Sequence, residues 1–184
     1  MPKDAAPKSK SPVFDAIASR RTTCEFTAQA PRKEEIEKIL EAGRWAPSVL
    51  NLQPWNFVVV RDGLAIQQLK GMAVYGRFHS RPPIVVAIVL EKDCIGPPSV
   101  KDDKMRLHDA YMSVSMPALC MALAAAELGI DSCLLTPDED TAKLALRLKE
   151  NEEVPIVIGL GHKVSGLPHA PPSRKSLKEI VRYA

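Results

Sequence analysis

Seven consecutive apolar residues, Ile84–Leu90 (IVVAIVL), constrain this chain more than any other stretch. A strand with one wet face alternates apolar and polar side chains. An unbroken run has no wet face and must be covered above and below. A sheet covered on both faces needs two layers of helices. Helical periods are present on either side of the run. Ile36, Ile39, Leu40 and Gly43 recur at helical spacing opposite Glu34, Glu35, Glu37, Lys38 and Glu41, in a helix that starts at Pro31 and stops before Pro47. Ser11-Pro12 opens an earlier helix, with serine as cap and proline in the first position, that runs to about Arg20. A long helix is predicted over Asp102–Leu128, stopped by Gly129, another over Asp138–Lys149, and a short one over Ser176–Arg182. Phe57–Val60, Ser132–Leu135 and Val154–Gly159 read as further strands, with a turn at Asp62-Gly63. The expectation is one domain over residues 11–184, a sheet sandwiched between helix layers, preceded by a disordered tail over residues 1–10.

Composition narrows the class. A formal charge of +3 is too small to argue for nucleic acid, and the basic residues do not interleave with aromatics as a base-stacking surface requires. The N-terminus has no apolar core of a signal peptide, and no stretch reaches the roughly 18 apolar residues of a membrane span. Ala110–Ala126, the longest run without a charge, contains Ser113, Ser115 and Pro117 and reads as a buried helix, in a core or an interface. Cys24, Cys94, Cys120 and Cys133 match neither a zinc site nor a disulfide framework, so a reducing cytoplasm is expected, with Cys120 and Cys133 in the core. No pair of the four histidines lies three or four apart on a helix, so no metal site is expected. Gly159-Leu160-Gly161 follows a strand, but the next glycine is Gly166. The spacing of a dinucleotide loop fails, and the chain runs on into prolines 168, 171 and 172.

Three segments carry chemistry. Arg20-Arg21-Thr22 and Ser173-Arg174-Lys175 offer guanidinium forks, which match phosphate in two parallel bonds, and a hydroxyl. Each cluster alone also fits a helix end facing water. Between them, Ala46–Trp55 (APSVLNLQPW) is a loop stiffened by Pro47 and Pro54 that displays Ser48, Asn51 and Gln53, donors and acceptors of the kind that read the edge of a flavin ring.

In order and spacing, Arg-Arg-Thr, then A-P-S-x-x-N-x-Q-P-W, then a strand, resembles the nitroreductase family. The helix ending in E-L-G-I-D-S, the strand ending in I-G-L-G and a basic residue before the last helix agree, so the resemblance covers roughly residues 11–183. It implies an α+β fold, a three-layer α/β/α sandwich with a mixed central sheet, in a homodimer with FMN held non-covalently at the subunit interface. Arg20, Arg21 and Thr22 are then expected at the phosphate, ribityl chain and ring edge. Pro47, Ser48, Val49 and Asn51 would reach the flavin from the other subunit, with Leu134, Leu135 and Thr136 beside the ring and Arg174 on the phosphate. NADH or NADPH would donate hydride and a nitroaromatic, quinone or flavin would accept it, in ping-pong order. The chemistry belongs to the cofactor, so no catalytic side chain is assigned. Cys24 stands where the family often carries a cation near the flavin's pyrimidine edge, and Arg77 is a candidate substitute. Residues 64–84 are short for a substrate lid. Two other readings stay open: a flavin binder without turnover, for storage or sensing, and a flavin-fragmenting or dehalogenating branch.

Overall fold

The computed structural model describes residues 11–71, 73–75, 77–96, 101–166 and 173–183. The expected tail over residues 1–10, Gly76 and prolines 168, 171 and 172 lie outside them. The elements are α1 (Pro12–Ser19), α2 (Lys33–Arg44), β1 (Trp55–Val60), α3 (Gly63–Gly71), β2 (Ala73–Tyr75), β3 (Ile84–Glu91), α4 (Asp103–Glu127), β4 (Asp131–Pro137), α5 (Glu139–Leu146), β5 (Glu152–Gly161) and α6 (Leu177–Ile180), with 3-10 turns at Val49–Asn51 and Lys92–Cys94.

The strands form one sheet in the order β1-β3-β5-β4-β2. The apolar run is the second strand in, paired with β1 on one side (Val59 opposite Val86) and β5 on the other (Val85 opposite Gly159). Its side chains alternate between two cores. Val85, Ala87 and Val89 face Ile66 and Leu69 of α3 and Ala142 of α5. Ile84 and Val86 face Ile36 and Ile39 of α2 and Met121 of α4, while Ile88 and Leu90 face Trp55, Ala110 and Val114. This is the expected three-layer α+β sandwich. A mixed sheet was expected, but every ladder among the described strands is antiparallel, and the parallel component is confined to a single bridge, Thr22–Ser132.

Several elements depart from the sequence reading for local reasons. Asp62-Gly63 does not turn back into a strand. Asp62 accepts a hydrogen bond from the Ala65 N–H at 2.8 Å and so caps α3, an element the turn-like dipeptide hides. Helix α5 stops at Leu146 because Arg147 adopts a left-handed φ of 53°. Strand β5 continues through Gly159 and Gly161. A side chain at Gly159 would meet the Phe78 ring at 2.6 Å, and one at Gly161 would meet Pro83 at 2.7 Å. These glycines admit close packing beneath the sheet and do not cradle a ligand.

Helix α4 spans the domain. Asp102 caps its start, accepting from the N–H groups of Lys104 and Met105. At its end Gly129 takes a φ of 71°, with Ile130 N–H donating to Ala125 O and Gly129 N–H to Ala126 O, a Schellman closure. It is long and apolar enough to cross a membrane by composition, with a mean hydropathy of 1.3 over its best window. One face, however, is packed in the core through Ala110, Val114, Ala118, Met121 and Ala125. The other face presents Met112, Met116 and Leu119 to solvent, and Leu119 is 54% exposed. The choice between core and interface therefore has a divided answer: one side of the helix is core and the other is open.

Candidate functional site

Arg20 and Arg21 sit where α1 ends. The Arg21 guanidinium is turned back on that end, donating to Ala18 O at 2.6 Å and Arg20 O at 2.9 Å, so it satisfies carbonyls left over by the helix. Arg20 makes no side-chain hydrogen bond or ion pair with any described residue. It opens on a cleft of about 330 Å³ bounded by Ser19, Gly129, Ser132 and Lys163. That is at the lower end of the range for small-molecule pockets, roughly 300–1,000 Å³.

The chain after α1 is held firmly beside this cleft. Thr22 bridges Ser132, and Thr23 N–H donates to Ser132 O at 2.9 Å. Asp131 ties three segments together: one carboxylate oxygen accepts from the Thr23 hydroxyl at 2.9 Å and the other from Lys163 N–H at 3.0 Å. Both oxygens of the acid in the cleft are thus engaged by protein donors, and among the described residues the cationic groups left free there are Arg20 and the exposed Lys163. Such a donor set fits the phosphate of a nucleotide cofactor. Sequence reasoning missed Lys163 and Asp131. The available signal was a lysine two residues after Gly161, at the end of its strand.

The second predicted segment is a strained, well-tied loop. Leu50, Asn51 and Gln53 have φ of 51°, 55° and 49°, a left-handed region that non-glycine residues enter at a cost. Ser48 holds the loop shut by accepting from Gln53 N–H at 2.9 Å. Val49 N–H donates to Ser113 Oγ on α4 at 3.2 Å, and Trp55 N–H to Gln53 O at 2.7 Å. Backbone forced into this region by several contacts at once is a mark of functional loops. Trp55 buries at the head of β1, stacked on Phe57 with ring centroids 6.5 Å apart. Pro47, Leu50, Asn51 and Gln53 remain exposed and Ser48 and Val49 half-buried.

One chain does not bring these two segments together. The loop is anchored at Ser113 and the arginine cleft is bounded by Ala126, thirteen residues further along the same helix. At 1.5 Å per residue that is about 20 Å. The remaining predicted residues divide. Leu134 is half-buried and Thr136 exposed. Leu135 points into the core formed with α3 and α5, so only its backbone can reach a ligand. Arg174 is exposed, its guanidinium donating to Ser173 O at 2.9 Å. Cys24 does not face the arginine cleft as a charged group would: its sulfur lies 3.7 Å from that of Cys133, in the α3/α5 core. Arg77 is exposed on the strand of chain leading to His79, whose N–H donates to Cys24 O at 2.7 Å. No group of three or more metal-ligating side chains occurs among the described residues.

A sequence model of the nitroreductase family matches residues 17–75, the stretch that holds Arg20–Thr22 and the strained loop. A Methanothermobacter thermautotrophicus protein provisionally named NADH dehydrogenase/NAD(P)H nitroreductase is 30% identical over 80 residues, which span 44% of this chain and 42% of that relative. An Archaeoglobus fulgidus protein of the same name is 32% identical over 154 residues, 79% of this chain and 82% of its own. Among solved structures, a nitroreductase family protein from Streptococcus pneumoniae superposes with a TM-score of 0.81 at 20% identity, covering 93% of this chain and 99% of the other. An FMN-dependent nitroreductase from Clostridium difficile R20291 gives 0.74 at 23% identity, over 92% and 98%. At these identities the structural likeness establishes the fold, and the long alignment with the A. fulgidus protein establishes descent: the chain belongs to the nitroreductase family of oxidoreductases.

Proposed function

We propose that the protein is an FMN-dependent NAD(P)H oxidoreductase that works as a homodimer in the cytoplasm. The observation that carries the reading is the Arg20 guanidinium, without a protein partner among the described residues and open to the cleft beside Ser132 and Lys163. Bound FMN would supply the chemistry, taking hydride from NADH or NADPH and passing it to a nitroaromatic, quinone or flavin in ping-pong order. The chain's own residues bind and orient. Arg20 and Lys163 hold the phosphate, with Arg174 from the C-terminal segment added to them, while Arg21 keeps the end of α1 in place. Thr22 and the backbone of Leu134, Leu135 and Thr136 line the ring, and exposed Asn51 offers donors and acceptors to its edge.

The separation of about 20 Å along α4 supports the dimer. A partner related by a two-fold axis lays its loop, with Pro47, Ser48, Val49 and Asn51, over the arginine cleft of the first subunit. The open face of α4, with Met112, Met116 and Leu119, and the exposed Val13, Phe14 and Ile17 of α1 form the apolar surface that such pairing would cover. The test is a visible spectrum of the purified protein, followed by anaerobic addition of NADH or NADPH. A flavin band that bleaches on addition is the expected result. A colourless protein that FMN cannot reconstitute overturns the reading. A second reading, flavin binding without turnover, is favoured by one observation: the thiol at position 24 supplies no cation. A bound flavin that stays oxidised selects it.

A further inference from the structure

Two cysteines meet in the core under α3 and α5, and neither binds the cofactor in the function proposed above. Cys24 and Cys133 are 109 residues apart in sequence, yet their sulfurs are 3.7 Å apart, with both residues free thiols. A disulfide requires about 2.05 Å between sulfurs and Cα atoms about 4.4–6.8 Å apart. The two backbones run side by side close to the pair: Thr22 pairs with Ser132 and Thr23 N–H bonds Ser132 O at 2.9 Å. Cys24 is also fixed from its far side, where its carbonyl accepts from the N–H groups of His79 at 2.7 Å and Ser80 at 3.3 Å. The pair is held in register from two directions.

We propose that Cys24 and Cys133 form an oxidisable dithiol, a modification site at which a hydroperoxide converts the pair to an intramolecular disulfide. Cys24 is half-buried and reacts first, while Cys133 is buried and resolves. In the first step the Cys24 sulfur attacks the outer oxygen of the hydroperoxide. The O–O bond breaks, Cys24 becomes a sulfenic acid and the alcohol, or water from hydrogen peroxide itself, departs. In the second step the Cys133 sulfur attacks that of Cys24. The S–S bond forms, the S–O bond breaks, and the hydroxide leaves with the Cys133 proton as water. The two thiols lose two electrons and the peroxide gains them. The division of roles follows the surroundings: burial, and then the neighbouring Cys24, push the Cys133 thiol up to about 12, so it does not ionise to meet an oxidant. The other two cysteines have no such neighbour among the described residues. Cys94 is raised by burial and by the Glu91 carboxylate beside it, and Cys120 by burial in α4, so both react slowly.

The purified full chain is reduced, treated with one equivalent of hydrogen peroxide, alkylated under denaturing conditions and mapped by mass spectrometry. The expected product is lighter by two hydrogen atoms, contains a peptide that joins Cys24 to Cys133, has Cys94 and Cys120 still alkylated, and returns to four alkylated thiols on treatment with dithiothreitol. In Cys133→Ala the bond cannot form, and Cys24 is captured by dimedone as the sulfenic acid. Four alkylated thiols after treatment overturn the proposal. So does a wild-type protein that gains oxygen atoms at Cys24 with no linked peptide. The experiment is read on the polypeptide whether or not flavin is present, so its outcome is separate from that of the flavin assignment.

Discussion

Two adjacent arginines of identical chemistry have different work, and the difference is measurable. Arg21 is committed to Ala18 O and Arg20 O, so Arg21→Ala leaves the end of α1 uncapped and lowers stability by about 1 kcal/mol, read as a shift in the urea midpoint. Arg20 has no such commitment. Arg20→Ala removes a charge-assisted contact worth about 1.5–3 kcal/mol, so FMN affinity drops roughly ten- to a hundredfold by fluorescence titration, with stability little changed. Equal losses of affinity in the two variants would contradict this division. Cys133 gives a pH dependence of definite sign. Its folded value, about 12, is above the ordinary 9.0, so the native chain keeps a proton that the unfolded chain gives up. The associated stability is complete below pH 9.0 and is lost as pH rises toward 12. Denaturation curves from pH 9.0 upward should fall more steeply for the wild type than for Cys133→Ala.

Among the elements, α4 and the strained loop depend on one another. Ser113 donates its hydroxyl to Asp109 O at 2.8 Å within the helix and accepts Val49 N–H from the loop. Ser113→Ala leaves that N–H without its partner. The expected cost is about 1 kcal/mol in stability. Weaker FMN binding should accompany it, because Asn51 and Gln53 lose the frame that holds their left-handed backbone. Thermal melts and flavin titration check both. The loop's composition announced a site, since prolines enclosing polar residues have little use in packing. Its strain was not legible: Leu50, Asn51 and Gln53 take positive φ with Ser48, Ser113 and the head of β1 fixing both ends, and of those partners Ser113 is remote in sequence.

For the whole molecule, the open faces of α1 and α4 and the exposed α6 set the expectation of a dimer. Leu119→Asp places a charge in the centre of the apolar face of α4, away from the core residues Ala118 and Met121. Sedimentation should show a monomer that is folded by circular dichroism and no longer retains FMN. A monomer that binds flavin as tightly as the wild type would place both halves of the site in one subunit and refute the shared arrangement.

Periodicity by itself determined the layers, because a strand buried on both faces and a helix with one apolar stripe are patterns of nearest neighbours along the chain. The same local logic made Gly129 a helix stop. Tertiary structure alone decided three things. It turned Arg21 to the helix end and left Arg20 without a side-chain partner among the described residues, though the two residues are chemically alike. It set Cys24 against Cys133 across 109 positions of sequence. It also parted the loop from the arginine cleft by about 20 Å of helix, so that the two segments the sequence singles out lie apart within one chain. Distances between residues remote in sequence come from how layers pack, and packing is a property of the assembled core.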